Sequence, residues 1–166
     1  MQYEDPIIRK YVELFKAKMP EIKEWYQGDP LRIPASNLPC AMIAKTETRV
    51  GPFTNAQDEH GIELQLTLIT DVRSELSTQE DEKKIVAGVS KLYELMEARN
   101  ADYTLTDECL LGVLRGNIVV DSANNLRTDL DTLTRVEYGE TLRDREAGLW
   151  SIEARIIFVA HFIQNR

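Results

Sequence analysis

The closing segment constrains the fold of this chain more than any other stretch. From Leu149 to about Ile163, residues Trp150, Ile152, Ala154, Ile156, Phe158 and Ala160 occupy alternate positions. Successive side chains of a strand point to opposite sides, so these residues form one apolar face. The end of the strand differs from its beginning, because Ile157, Val159 and Ile163 make the second face apolar too. Either the strand is central and helices cover both of its faces, or another subunit closes the second face. Leu126 to Leu142 supplies a partner strand, with Leu130, Thr132, Thr134, Val136 and Tyr138 at even positions and a turn over Asp144 to Gly148. Together the two segments predict a long C-terminal antiparallel hairpin.

Upstream, Asp5 before Pro6 predicts a helix start, since the carboxylate caps free N–H groups and proline is tolerated in the first turn. Ile8, Tyr11, Val12, Phe15 and Met19 form its apolar stripe to about Met19, with Ile22, Trp25 and Tyr26 read as a further turn. Gly28, Pro30, Pro34 and Pro39 make an extended crossing segment of Gln27 to Pro39. Cys40 to Val50 reads as a strand and Gly51 to Gly61 as a loop. Ile62, Leu64, Leu66 and Leu68, alternating with Glu63, Gln65 and Thr67, mark a half-buried strand. Ser77 or Thr78 begins a long helix to about Arg99, and Thr106 or Asp107 caps a shorter one ending near Gly116. Ile118 to Val120 is a possible short strand.

The expected fold is therefore α+β: a mainly antiparallel sheet of about four strands packed by helices. Its order is α-β-β-α-α-β-β, in a single domain over residues 1–166. With 166 residues, 43% of them hydrophobic, the chain can bury a sizeable core. No apolar run reaches the roughly 20 residues that span a bilayer, so no membrane partner is expected.

Acidic residues outnumber basic ones by 28 to 20, which disfavours tight binding to nucleic acid. Cys40 and Cys109 sit in apolar surroundings, outside any metal-binding spacing, and read as buried thiols. His60 and His161 lack a second ligand at i+2 or i+4; His60 reads as a loop residue and His161 as a hydrogen-bonded group on a sheet face. Asp129 and Asp131, on one side of a strand, would be placed to share a divalent ion, but their polar neighbours favour a solvated strand beginning. No GxSxG turn or phosphate-cradling glycine loop is present. The reading is of a protein that is not an enzyme and carries neither metal nor cofactor.

Several segments resemble the tail terminator, or head-to-tail joining, proteins of long-tailed bacteriophages. They are the N-terminal helix with Tyr11, Leu14 and Phe15; the run Leu38-Pro39-Cys40-Ala41-Met42-Ile43; the run Glu63-Leu64-Gln65-Leu66-Thr67-Leu68 leading to the long helix; and the closing pair of strands. The resemblance implies a subunit that assembles, as a hexameric ring, in the host cytoplasm and ends in the neck of the virion. There it caps the tail tube and meets the tube protein and the head-tail connector proteins. DNA passes through without specific binding.

On that reading Ile157, Val159 and Ile163 are candidate subunit-interface residues. Glu63, Asp129, Asp131, Glu137 and Glu153 are candidates to face the lumen, where carboxylates on a chain of net charge −8 would repel phosphate. Pro52, Asn55 and Asp58, in the expected loop, are candidates to touch a neighbouring ring or the tube. The alternatives are an enzyme whose site gathers scattered carboxylates, His60 and arginines, a cytosolic binding module using a sheet edge or that loop, and another neck or head-completion protein.

Overall fold

The computed structural model describes residues 4–27, 33–71, 90–129, 131, 134–143 and 150–166. Helix α1 spans Pro6–Lys18, and its cap is the one the sequence predicts: the Asp5 carboxylate accepts from the N–H groups of Ile7 and Ile8 at 2.9 and 3.2 Å. Burial pushes the Asp5 carboxyl up, but the Lys45 ammonium and those two N–H groups outweigh it, so its pKa lies below the usual carboxylate value. The stripe Tyr11, Phe15 and Met19 is fully buried.

The further turn expected over Ile22, Trp25 and Tyr26 is instead strand β1, Glu24–Gln27, parallel to strand β2, Cys40–Thr54. Pro20 stops the helix, and Trp25 stacks on Phe15 at 5.5 Å between ring centroids, so the aromatic pair is satisfied by a strand crossing the helix end. A parallel pair needs a long crossover, and the proline-rich segment provides it, with a 3₁₀ turn at Ala35–Asn37.

The loop expected over Gly51 to Gly61 does not exist. Strand β2 runs on to Thr54, turns at Asn55 and Ala56, and returns as β3, Gln57–Asp71. Glycine and proline read as punctuation in the sequence, yet Pro52 is tolerated because beyond Ile43 strand β2 has no second strand beside it among the described residues. An edge strand tolerates a proline whose missing N–H faces that free side.

Helix α2 is described over 90–97; the predicted cap at Ser77 or Thr78 lies outside the described residues. Arg99, its expected end, forms a bridge with Leu105 instead. Helix α3, Leu110–Gly116, is capped by Cys109, not Thr106 or Asp107: the Gly112 N–H donates to Cys109 Sγ at 3.3 Å. Strands β4, Val119–Asp121, and β5, Leu126–Thr128, follow, and then β6, Arg135–Arg143, and β7, Trp150–Asn165.

The single strand expected from Leu126 to Leu142 is thus two. After β5 the Asp131 N–H donates to Asp129 Oδ1 at 2.9 Å, an Asx turn that bends the chain away although the alternating pattern continues. Leu130 and Thr132 lie outside the described residues. The predicted antiparallel pairing with the last strand is made by β6, and the turn expected over Asp144 to Gly148 lies outside the described residues.

The sheet consequently has seven strands in the order β1-β2-β3-β7-β5-β4, with β6 also on β7, and not about four. Among the described residues the expected α-β-β-α-α-β-β order is replaced by α-β-β-β-α-α-β-β-β-β. Four of the seven strands are short or split off from longer expected elements, which is why periodicity undercounts them. Strand β7 is the axis: it pairs with β3 along its whole length, from Ser151 opposite Asp71 to Asn165 opposite Gln57. Its other edge is shared, β6 taking Trp150 to Ile157 and β5 taking Ala160 and His161.

The helices supply the main core. Tyr11, Phe15, Leu92, Met96, Leu110 and Leu114 pack on the even-numbered face of β3 and β7, where Leu64, Leu66, Leu68, Ala154, Ile156 and Phe158 are almost completely buried. Each such aliphatic side chain contributes roughly 1.5–3 kcal/mol. The Tyr11 hydroxyl reaches Thr128 Oγ1 at 3.0 Å; burial pushes the phenol up to about 12, so it stays protonated.

Candidate functional site

The alternation that buries the even-numbered residues puts their odd-numbered neighbours on the opposite face. That face has a small core of its own at one end, where Leu38, Cys40, Met42 and Ile69 are covered by Ile33 and Tyr26. Burial there pushes the Cys40 thiol up to about 12 and leaves it an inert packing group. Beyond that plug no described element covers the sheet.

Cross-strand register then brings together residues far apart in sequence. Glu47 lies opposite Glu63, which lies opposite Val159; Arg49 lies opposite Gly61, Gly61 opposite His161, and His161 opposite Arg127. Gly51 lies opposite Glu59 and Glu59 opposite Ile163. Because Gly61 has no side chain, a hollow of about 400 Å³ opens over it, lined by Glu47, Arg49, Glu59, Glu63, Asp129, Val159 and His161. A second, of about 290 Å³, adjoins it at Glu59, Asp129 and His161 and extends to Arg127 and Asp131. Together they make a trough.

Its charges are partly matched. The imidazole Nε2 of His161 lies 2.5 Å from Glu59 Oε1. Arg49 holds Glu47 at 2.7 Å, and that hydrogen bond keeps the Glu47 carboxyl below its ordinary pKa. Glu63 accepts from the Thr46 hydroxyl at 2.6 Å and lies within electrostatic reach of the Arg49 guanidinium. The side chain of Asp131 has no ion pair among the described residues, and carboxylates outnumber guanidinium groups along the trough. No group of three or more His, Cys, Asp or Glu is placed to hold a metal ion among the described residues. The chemistry open to this surface is electrostatic: it can seat a basic or amphipathic partner over an apolar floor.

Most of the residues singled out from the sequence converge here. Ile157, Val159 and Ile163 are half-buried on this face, in one line along β7 with Glu153 and His161. Glu63 and Asp129 line the first hollow with Val159 and Asp131 lines the second, while Glu137 and Glu153 lie further along the same face, paired with Arg135 at 2.8 Å and Arg155 at 2.9 Å. The interface candidates and the lumen candidates thus occupy one surface, not two. Asp129 and Asp131 do not stand side by side on a strand as expected, because the Asx turn separates them.

The remaining candidates are elsewhere. Pro52 and Asp58 are paired strand residues of the β2–β3 arm and not loop residues, while Asn55 lies in the turn at its tip. Arg166 pins that tip, bonding Asp58 at 2.7 Å and Ala56 O at 2.9 Å, and its hydrogen bond keeps the Asp58 carboxyl below its ordinary value. His60, expected in a loop, is in β3 and stacks on Phe162 at 4.5 Å. The outer edge of β2 carries Lys45, Glu47, Arg49 and Pro52 and two register shifts, devices that guard an edge against strand addition. That weakens the reading of a module that binds through a sheet edge.

Sequence reasoning missed Glu47, Arg49, Glu59 and Gly61 as members of this site. No local motif links them, and only the hairpin register sets them beside His161. No protein-family profile matches this chain, and neither does any curated protein.

Proposed function

We propose that this chain is a structural virion subunit, a tail terminator or head-to-tail joining protein whose copies form a ring, six in number by the resemblance. The ring caps the tail tube, joins it to the head and leaves a passage for DNA. The observation that carries this reading is the bare sheet face. The described helices pack on one side of the sheet, while on the other side the line Ile157, Val159 and Ile163 is only half-buried among the described residues. A sheet with apolar residues on both faces is stable when both are covered, and an assembling subunit leaves one face for its neighbour.

The acidic balance agrees with a conduit for DNA, since a net charge of −8 on each chain opposes gripping of phosphate. Glu137 and Glu153 are matched by arginines, so repulsion from a lumen rests on the charge of the whole chain more than on those two. In electron micrographs, phage particles produced without this protein are expected to show tails of irregular length and heads without tails. Tails of normal length joined to heads would overturn the proposal.

A further inference from the structure

The bare face and the outer side of α1 are opposite surfaces of the same layered structure, and their charges are complementary. Among the described residues Glu47, Glu59, Glu63 and Asp131 line the trough, with the guanidinium groups of Arg49 and Arg127 and with His161 beside Glu59. On α1 the outward side chains are Arg9, Lys16 and Lys18, with Lys10 half-buried beside them and Glu13 the one carboxylate. Glu13 is already shared by Arg9 at 3.8 Å and Lys10 at 3.6 Å. Lys16 and Lys18 are exposed and have no acidic partner among the described residues. A chain that is acidic as a whole therefore presents a basic helix on one side and an acidic trough on the other.

We infer that the occupant of the trough is α1 of a second copy, laid over Val159 and Ile157 with its lysines toward Glu63 and Asp131. This rests on the ring reading and specifies its subunit contact. Lysine stems cover apolar surface while their ammonium groups reach carboxylates, which fits a floor of valine and isoleucine with an acidic rim. The contact joins different surfaces of the two copies, so it propagates from subunit to subunit and closes into a ring when the rotation allows. Each sheet then lies between its own helices and its neighbour's, the three-layer arrangement in which a doubly apolar strand is buried on both sides. Strand-to-strand pairing is a poorer route, because β2 is guarded and its free edge lies level with the arm while β6 lies level with the other half of β7.

The test is charge reversal, read by light scattering with circular dichroism to verify folding. Lys16→Glu/Lys18→Glu makes α1 acidic, and Glu63→Lys/Asp131→Lys makes the trough basic. Each double variant alone is expected to self-associate about tenfold or more weakly than the wild type. An equimolar mixture is expected to recover assembly, since each reversed surface then meets its complement. Both are surface changes, and salt should weaken the wild-type contact in the same direction. A wild type that assembles while neither variant weakens, or a mixture that fails to recover, overturns the α1 contact and leaves the ring reading standing. A wild-type chain that stays monomeric at its highest soluble concentration, with tail tubes present, overturns both.

Discussion

Gly112→Ala is expected to destabilise the fold by about 3 kcal/mol, at the upper end of what overpacking costs. A Cβ on residue 112 would stand 1.8 Å from the carbonyl oxygen of Thr106 and 3.1 Å from Cys109 Sγ. The first of these atoms belongs to the backbone, so no rotamer relieves the overlap; the segment before α3 has to move. That movement also disturbs the cap, because the Gly112 N–H bonds Cys109 Sγ and Cys109 bonds Thr106 O at 3.4 Å. For a chain of this size the loss corresponds to a fall in melting temperature of about 10 °C. Gly116→Ala is the control: a Cβ there meets nothing within 4 Å, so its melting temperature should be unchanged or slightly raised. Equal losses at the two glycines would contradict the close approach at residue 112.

A second large effect separates the two faces of β7. Phe158 is 1% exposed, with Tyr11 at 5.0 Å between ring centroids, and it sits where α1 crosses the sheet. Truncation to alanine leaves a cavity that neither the helix nor the paired strands can fill, and is expected to cost about 3–5 kcal/mol. Ile157, the preceding residue, points to the bare face and is only half-buried. Ile157→Ala should cost about 1 kcal/mol of folding stability. On the proposed subunit contact it should nevertheless weaken self-association, because its partner surface would lie in another copy. Denaturant midpoints and solution mass, measured on both variants, resolve the two roles. A Phe158 variant that melts like the wild type, or an Ile157 variant that assembles unchanged, would contradict this division.

Much of the fold was legible where periodicity is long. The cap at Asp5, the stripe of α1, the buried face of β3 and the alternating face of β7 all follow from local spacing, and they lie where expected. The failures have local causes as well. Gly51, Pro52, Asn55 and Gly61 read as loop because such residues usually end strands, yet they belong to a long arm at the sheet margin, where a missing donor or side chain costs little. Trp25 and Tyr26 read as helix because their spacing continued the stripe, but their burial was decided by Phe15 and by a strand not adjacent in sequence.

The trough was half legible. Ile157, Val159 and Ile163 stood out as a second apolar face, and Glu63, Asp129 and Asp131 as carboxylates on polar positions. That these two sets are neighbours depends on the register of β3 against β7, which local pattern does not specify. Nothing local in the sequence relates Lys16 and Lys18 of α1 to carboxylates on the opposite side of the sheet.

The most direct measurement is made on tail tubes prepared without this protein, to which the purified chain is added before imaging by electron microscopy. The account predicts a ring of six copies at one end of each tube, with heads then able to join. Tube ends that stay bare, with the added chain remaining monomeric in solution, would contradict it.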